Sequence, residues 1–246
     1  MKDPNKNESS RMRITSHQRA TQRFKMRLVI AAASAMFFVV GACVVYFNFG
    51  VSNESRAAAA GDYRSLISGN WNALGTWEKY DGSTWLPATT TPKSTDGVIT
   101  IQSGHTVTVN ASVSVDQVSV ESGGILTVSA GTLTIANGTG SDLNVAGTTN
   151  LVTGGTITIA ASALVTVLNG GTFNHNGGAR TLTGWAINNG GVYVHNVNNI
   201  TIPTASWGAL STLKVTGVTT ANLRGTNQTF GNLIYDCTLQ TGIVEF

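Results

Sequence analysis

The sequence predicts an all-β fold: a right-handed parallel β-solenoid with three strands per coil and about 25 residues per coil, preceded by an N-terminal membrane-spanning or signal helix. Three observations lead there. Short period-2 runs such as TVTV, VSVDQVSV, TLTI and TITI recur between Gly and Asn. The tripeptide Thr-apolar-Thr returns at a near-constant interval, starting at Thr106, Thr132, Thr156 and Thr181. One uncharged run, residues 28–49, stands apart from the rest.

The N-terminal run comes first. As a helix its 22 residues would reach about 33 Å, enough to cross a hydrocarbon core. Residues 1–27 hold eight Lys/Arg against Asp3 and Glu8, which would keep the N-terminus in the cytoplasm. The small-residue run 57–60 is of the kind signal peptidase accepts, so residues 1–60 read as a cleaved signal or an uncleaved anchor. Either way the body is expected to be exported, to the cell surface or the extracellular space. Cys43 lies in the apolar run and Cys237 is alone in the body, so no disulfide is available within the body.

Charge excludes one class of partner. Over the full 246 residues only 11% are charged, against a globular norm of roughly 25%, while 41% are hydrophobic. From Gly61 onward six Lys/Arg face nine Asp/Glu, so the body is mildly acidic and has no basic stripe for nucleic acid. Residues 61–97 carry Trp71, Trp77 and Trp85 and read as an N-terminal cap. Three columns of alternating residues then run through 98–202. One holds Val107, Leu133, Ile157 and Leu182; a second Val118, Leu143, Val165 and Val192; a third Ile99, Leu126, Leu151, Phe173 and Ile200. Alternation along a strand would point these inward and stack them, coil upon coil. Glycine pairs such as Gly123-Gly124 and Gly170-Gly171 mark the corners. Residues 203–246 leave the pattern and read as the start of a further β module, in a chain expected to be a fragment of a longer protein.

Several residues are candidates for chemistry. The threonines flanking the first column (Thr106, Thr108, Thr132, Thr134, Thr156, Thr158, Thr181 and Thr183) would form an outward ladder. Such a grid of hydroxyls and methyls is one route to ice binding. Trp71, Trp77 and Trp85 could stack on sugar rings. Asp96, Asp116, Glu121 and Asp142 are sparse for a polysaccharide-cleaving site, although Asp116 and Asp142 would lie about one coil spacing apart. They otherwise read as solvated corner residues. His105, His175 and His195 fall in turn-like sequence; no metal or other cofactor is expected.

The segments Gly69-Asn70-Trp71, Gly75-Thr76-Trp77 and Asp96-Gly97-Val98-Ile99-Thr100-Ile101-Gln102-Ser103-Gly104-His105-Thr106-Val107 resemble the opening of repetitive bacterial surface and secreted proteins. Ile202-Pro203-Thr204-Ala205-Ser206-Trp207 and Asn227-Gln228-Thr229-Phe230-Gly231-Asn232-Leu233 are similar to a later module of that group. The resemblance implies export by the type IX system and an adhesin-like, non-catalytic role, with host or cell-surface matrix or carbohydrate as partner. It also implies a second cysteine where this chain has Leu213. The alternative class is a carbohydrate-binding or polysaccharide-degrading β-helix.

Overall fold

The computed structural model describes residues 56–220 and 222–241. Residues 28–49, with the helix expected there, lie outside them. Among the described residues no helix is long and apolar enough to cross a membrane.

From Ile99 the chain repeats one circuit. A three-residue strand, Ile99–Ile101, turns into Thr106–Val109 and then Val113–Val115, and the next circuit begins at Val118–Val120. Equivalent strands of successive circuits pair in parallel, giving a solenoid of about seven turns with almost no helix. Its walls are three sheets of nine, eight and four strands. The first two run the length of the body. The four-stranded wall ends at Ala179–Arg180, and later circuits close with irregular chain.

The register fixes the length of each coil. Tyr63, Ile99, Val118, Leu143, Val165, Trp185 and Ala205 are successive partners along the nine-stranded sheet. A coil therefore takes 19 residues at first, then 25 and 22, and 20 thereafter. The expected spacing of about 25 is met only in the middle coils, and the columns slip as a result. Ile99 pairs with Val118 in the nine-stranded sheet, Leu126 and Phe173 both partner Thr149, and Leu151 partners Val128 and His175. Val107 stacks on Leu126 in the eight-stranded sheet, not on Leu133. Leu133 stacks between Val113 and Ile157. Leu182 is outside every strand and 45% exposed. Val192 belongs with Thr172 in the eight-stranded sheet and is not inward. Ile200 is likewise exposed.

The inward set is otherwise apolar in the early coils. Ile99, Ile101, Val107, Val109, Leu126, Val128, Leu133, Ile135, Leu143 and Val145 are all 0% exposed. Each contributes about 1.5–3 kcal/mol by leaving water, and a coil can bury them only against its neighbours. At the first end, Tyr63–Ser65 pairs with Ile99–Ile101 on one side. On the other it pairs antiparallel with Trp77–Tyr80, which pairs in turn with Trp85–Pro87. Two antiparallel strands thus finish that sheet.

Candidate functional surface and interior

The outer walls carry the hydroxyls. In the eight-stranded sheet two outward columns run side by side. One is Thr106, Ile125, Thr148, Thr172, Val192 and Thr212; the other is Thr108, Thr127, Asn150, Asn174, Val194 and Lys214. β-branched residues fill every station of the first, as a pleated surface favours. Amides bridge coils in the second: Asn174 Nδ2 donates to Asn150 Oδ1 at 2.9 Å, and Asn150 Nδ2 reaches Thr127 Oγ1 at 3.5 Å. The first charge met on this face is Lys214, 3.8 Å from Asp236.

The expected threonine ladder is therefore divided. Thr106 and Thr108 belong to the eight-stranded wall, beside Ile125 and Thr127. Thr132 and Thr134 lie on the four-stranded wall against Thr156 and Thr158, with Ser114 beside Thr134. Thr181 Oγ1 accepts the Ile159 N–H at 3.0 Å, and Thr183 is exposed beyond the last strand of that wall. Thr127, Thr148, Thr172, Asn150 and Asn174 complete the longer array. Sequence spacing misses them because the first coil is short.

The three tryptophans separate by burial. Trp71 and Trp77 are 2% and 0% exposed and meet edge to face at 4.9 Å. Their indole N–H groups donate to Pro92 O at 2.9 Å and Trp71 O at 2.7 Å. Neither presents a ring to solvent. Trp85 is half-buried, with the Arg64 guanidinium 4.4 Å from its ring and Tyr80 at 5.1 Å. Arg64 is held in place by Glu78 at 2.8 Å.

The carboxylates hold backbone. Asp62 and Asp142 each stand one residue before a strand of the nine-stranded sheet. Each accepts the backbone N–H of the equivalent residue in the following coil: Val98 to Asp62 Oδ1 at 2.9 Å, Leu164 to Asp142 Oδ2 at 2.8 Å. The second oxygen of each takes a local N–H, from Ala59 at 2.8 Å and Gly138 at 3.3 Å. Asp142 is thus a buried inter-coil clamp, not a solvated corner residue. Asp116 is also buried, and its Oδ1 has no hydrogen-bond partner. Burial first, and the Asp142 carboxylate beside it second, hold its carboxyl above the ordinary range. Of the other two acids, Asp96 pairs with Lys79 at 3.2 Å, and Glu121 accepts the Ser103 N–H at 3.2 Å.

His105 Nδ1 lies 2.9 Å from Ser65 Oγ, bonding the first coil to the strand below. The other two histidines are not in turns. His175 and His195 are paired inward residues of the eight-stranded sheet, both 0% exposed, with ring centroids 5.8 Å apart. Among the described residues no three His, Cys, Asp or Glu side chains group to hold a metal ion. Cys237 is a free thiol, half-buried, 3.5 Å from Val215 O.

The walls thus offer a long uncharged surface of hydroxyl, methyl and amide groups, with polar chemistry sequestered at corners and inside. No family model, no curated protein and no solved structure matches this chain.

Proposed function

We propose that the chain is an exported, non-catalytic solenoid that serves as a structural or adhesin-like module at the cell surface or outside the cell. The observation that carries this reading is the eight-stranded outer wall, uncharged from Thr106 to Val194 and tied across coils by Asn174 and Asn150. Such a wall is suited to lying against a matrix or carbohydrate surface by many weak polar contacts. Residues 28–49 act in this reading as the signal or anchor helix. The coil takes the right-handed sense that parallel crossovers adopt, and the Trp-rich strands of 61–97 cap the stack. The expected result is that exported protein begins near Gly61 on N-terminal sequencing. A soluble cytoplasmic pool with Met1 intact would contradict export.

A polysaccharide-cleaving reading rests on one observation, the raised carboxyl of Asp116 beside Asp142. In the non-catalytic reading, a panel of plant, algal and bacterial polysaccharides stays uncut. Cleavage that is lost in Asp116→Asn would replace the first reading with this one.

A further inference from the structure

The inward columns are apolar in the early coils, and in the later ones a single column carries two histidines. Between 99 and 135 the inward residues are Ile, Val and Leu throughout. In the eight-stranded sheet the column through Val109, Val128 and Leu151 then continues as His175, His195 and Val215. His175 Nε2 donates to Gly178 O at 3.2 Å, which leaves its Nδ1 lone pair without a donor. Neither ring nitrogen of His195 has a hydrogen-bond partner. The backbone of Ile200 is the one influence that favours its charged form.

What faces this pair makes protonation costly. Arg180 takes the inward station next to Ile157 on the four-stranded wall. Its Nε donates to Tyr193 Oη at 2.8 Å and its Nη2 to Thr201 O at 2.5 Å. The Tyr193 ring lies 6.5 Å from each imidazole, and burial pushes its phenol up to about 12, so it stays neutral. Among the described residues no carboxylate forms an ion pair with Arg180. The strand below contributes Leu151 and Thr149, the strand above Leu213 and Val215, and Lys214 points outward to Asp236. The groups that titrate or carry charge here are therefore the two imidazoles, Tyr193 and Arg180.

We infer that the His175–His195 pair is an acid-operated release: protonating the paired imidazoles opens the coils between 172 and 215, while those between 99 and 135 stay stacked. The direction follows from linkage. Burial above all, then the Arg180 charge, holds His175 down at about 4; burial, His175 and Arg180 hold His195 at about 3. An opened chain returns both to the ordinary value of about 6.5. The contribution of neutral burial is complete above that value. It is lost as the pH falls from about 6.5 toward 4, because only the opened state takes up protons there. Each histidine raises the opening constant tenfold per pH unit, so the pair approaches about a hundredfold.

Hydrogen exchange of the full chain, corrected for the intrinsic pH dependence of amide exchange, tests this. Peptides within 172–215 are expected to lose protection by about a hundredfold per pH unit between pH 6 and 4, and peptides within 99–135 to keep theirs. His195→Leu, which matches the Leu151 and Val215 of its column, should cut the slope to about tenfold. Imidazole titration by NMR on the wild-type chain covers the case in which that variant does not fold. Both rings should stay neutral until the later coils open. Ordinary titration near 6.5 in the closed protein, or opening of both regions with one midpoint, would overturn the proposal.

Discussion

Leu133→Asp is expected to unfold the middle of the solenoid, whereas Thr132→Asp on the same strand leaves it standing. Leu133 is 0% exposed and stacked between Val113 and Ile157, two apolar neighbours that offer a carboxylate no partner. An aspartate there must enter an apolar interior charged or take a proton, and either route costs several kcal/mol. Thr132 faces outward beside Thr156, where a carboxylate keeps its water. The cost at Thr132 should stay within about 1 kcal/mol. Charge and strand are the same in both variants, so the difference isolates facing. Thermal unfolding should separate them by about 10 °C or more. Equal loss would mean that the inward column is misassigned.

The second large effect lies in one glycine pair. Gly170 has φ +78°, and a Cβ there would meet nothing within 4 Å. Gly171 has no such backbone requirement, but its Cβ would sit 2.0 Å from Val145 O and 2.9 Å from Val145 C. Those are backbone atoms of the coil below, and they cannot swing aside. Gly170→Ala should therefore cost about 1–2 kcal/mol, the strain of a left-handed conformation alone. Gly171→Ala must push neighbouring coils apart at the bonds Leu168 N–H to Val145 O and Thr172 N–H to Gly147 O, both 2.8 Å. Its cost should be about 3 kcal/mol or more. Denaturant midpoints of the two variants check the order. A larger loss at Gly170 would place the close approach at the wrong residue.

Much of this architecture is legible in the sequence, and the errors have one main physical source. Alternation identifies which face a residue occupies, so it puts Leu133, Leu143, Val165 and Phe173 inside, where the structure has them. Alternation carries no information on which wall a strand joins. That depends on coil length, and a first coil of 19 residues followed by one of 25 moves Val107 to a different sheet from Leu133. The threonine ladder divides for the same reason. His175 reads as a turn residue because Asn174 and Asn176 flank it, and His195 because Asn196 follows it. The strand Thr172–Asn176 runs on past Asn174, and its alternation carries His175 inward on the same face as Phe173. The Asp62 and Asp142 clamps are equivalent only through register. Nothing local in the sequence distinguishes them from surface acids.

Register is the claim on which the walls, the columns and the buried histidines all depend, and cysteine pairs test it most directly. In a background with Cys43→Ser and Cys237→Ser, the pair Thr108→Cys and Thr127→Cys occupies partnered stations of neighbouring parallel strands. Such partners lie about 4.8 Å apart, within disulfide range. The pair Thr108→Cys and Thr134→Cys follows the 26-residue spacing visible in the sequence, yet Thr134 stands on another wall with Ser114 and Thr158 as its partners. Mild oxidation followed by mass spectrometry should find the first disulfide formed and the second pair still reduced. A Thr108–Thr134 crosslink, or failure of the Thr108–Thr127 pair to close, would contradict the account.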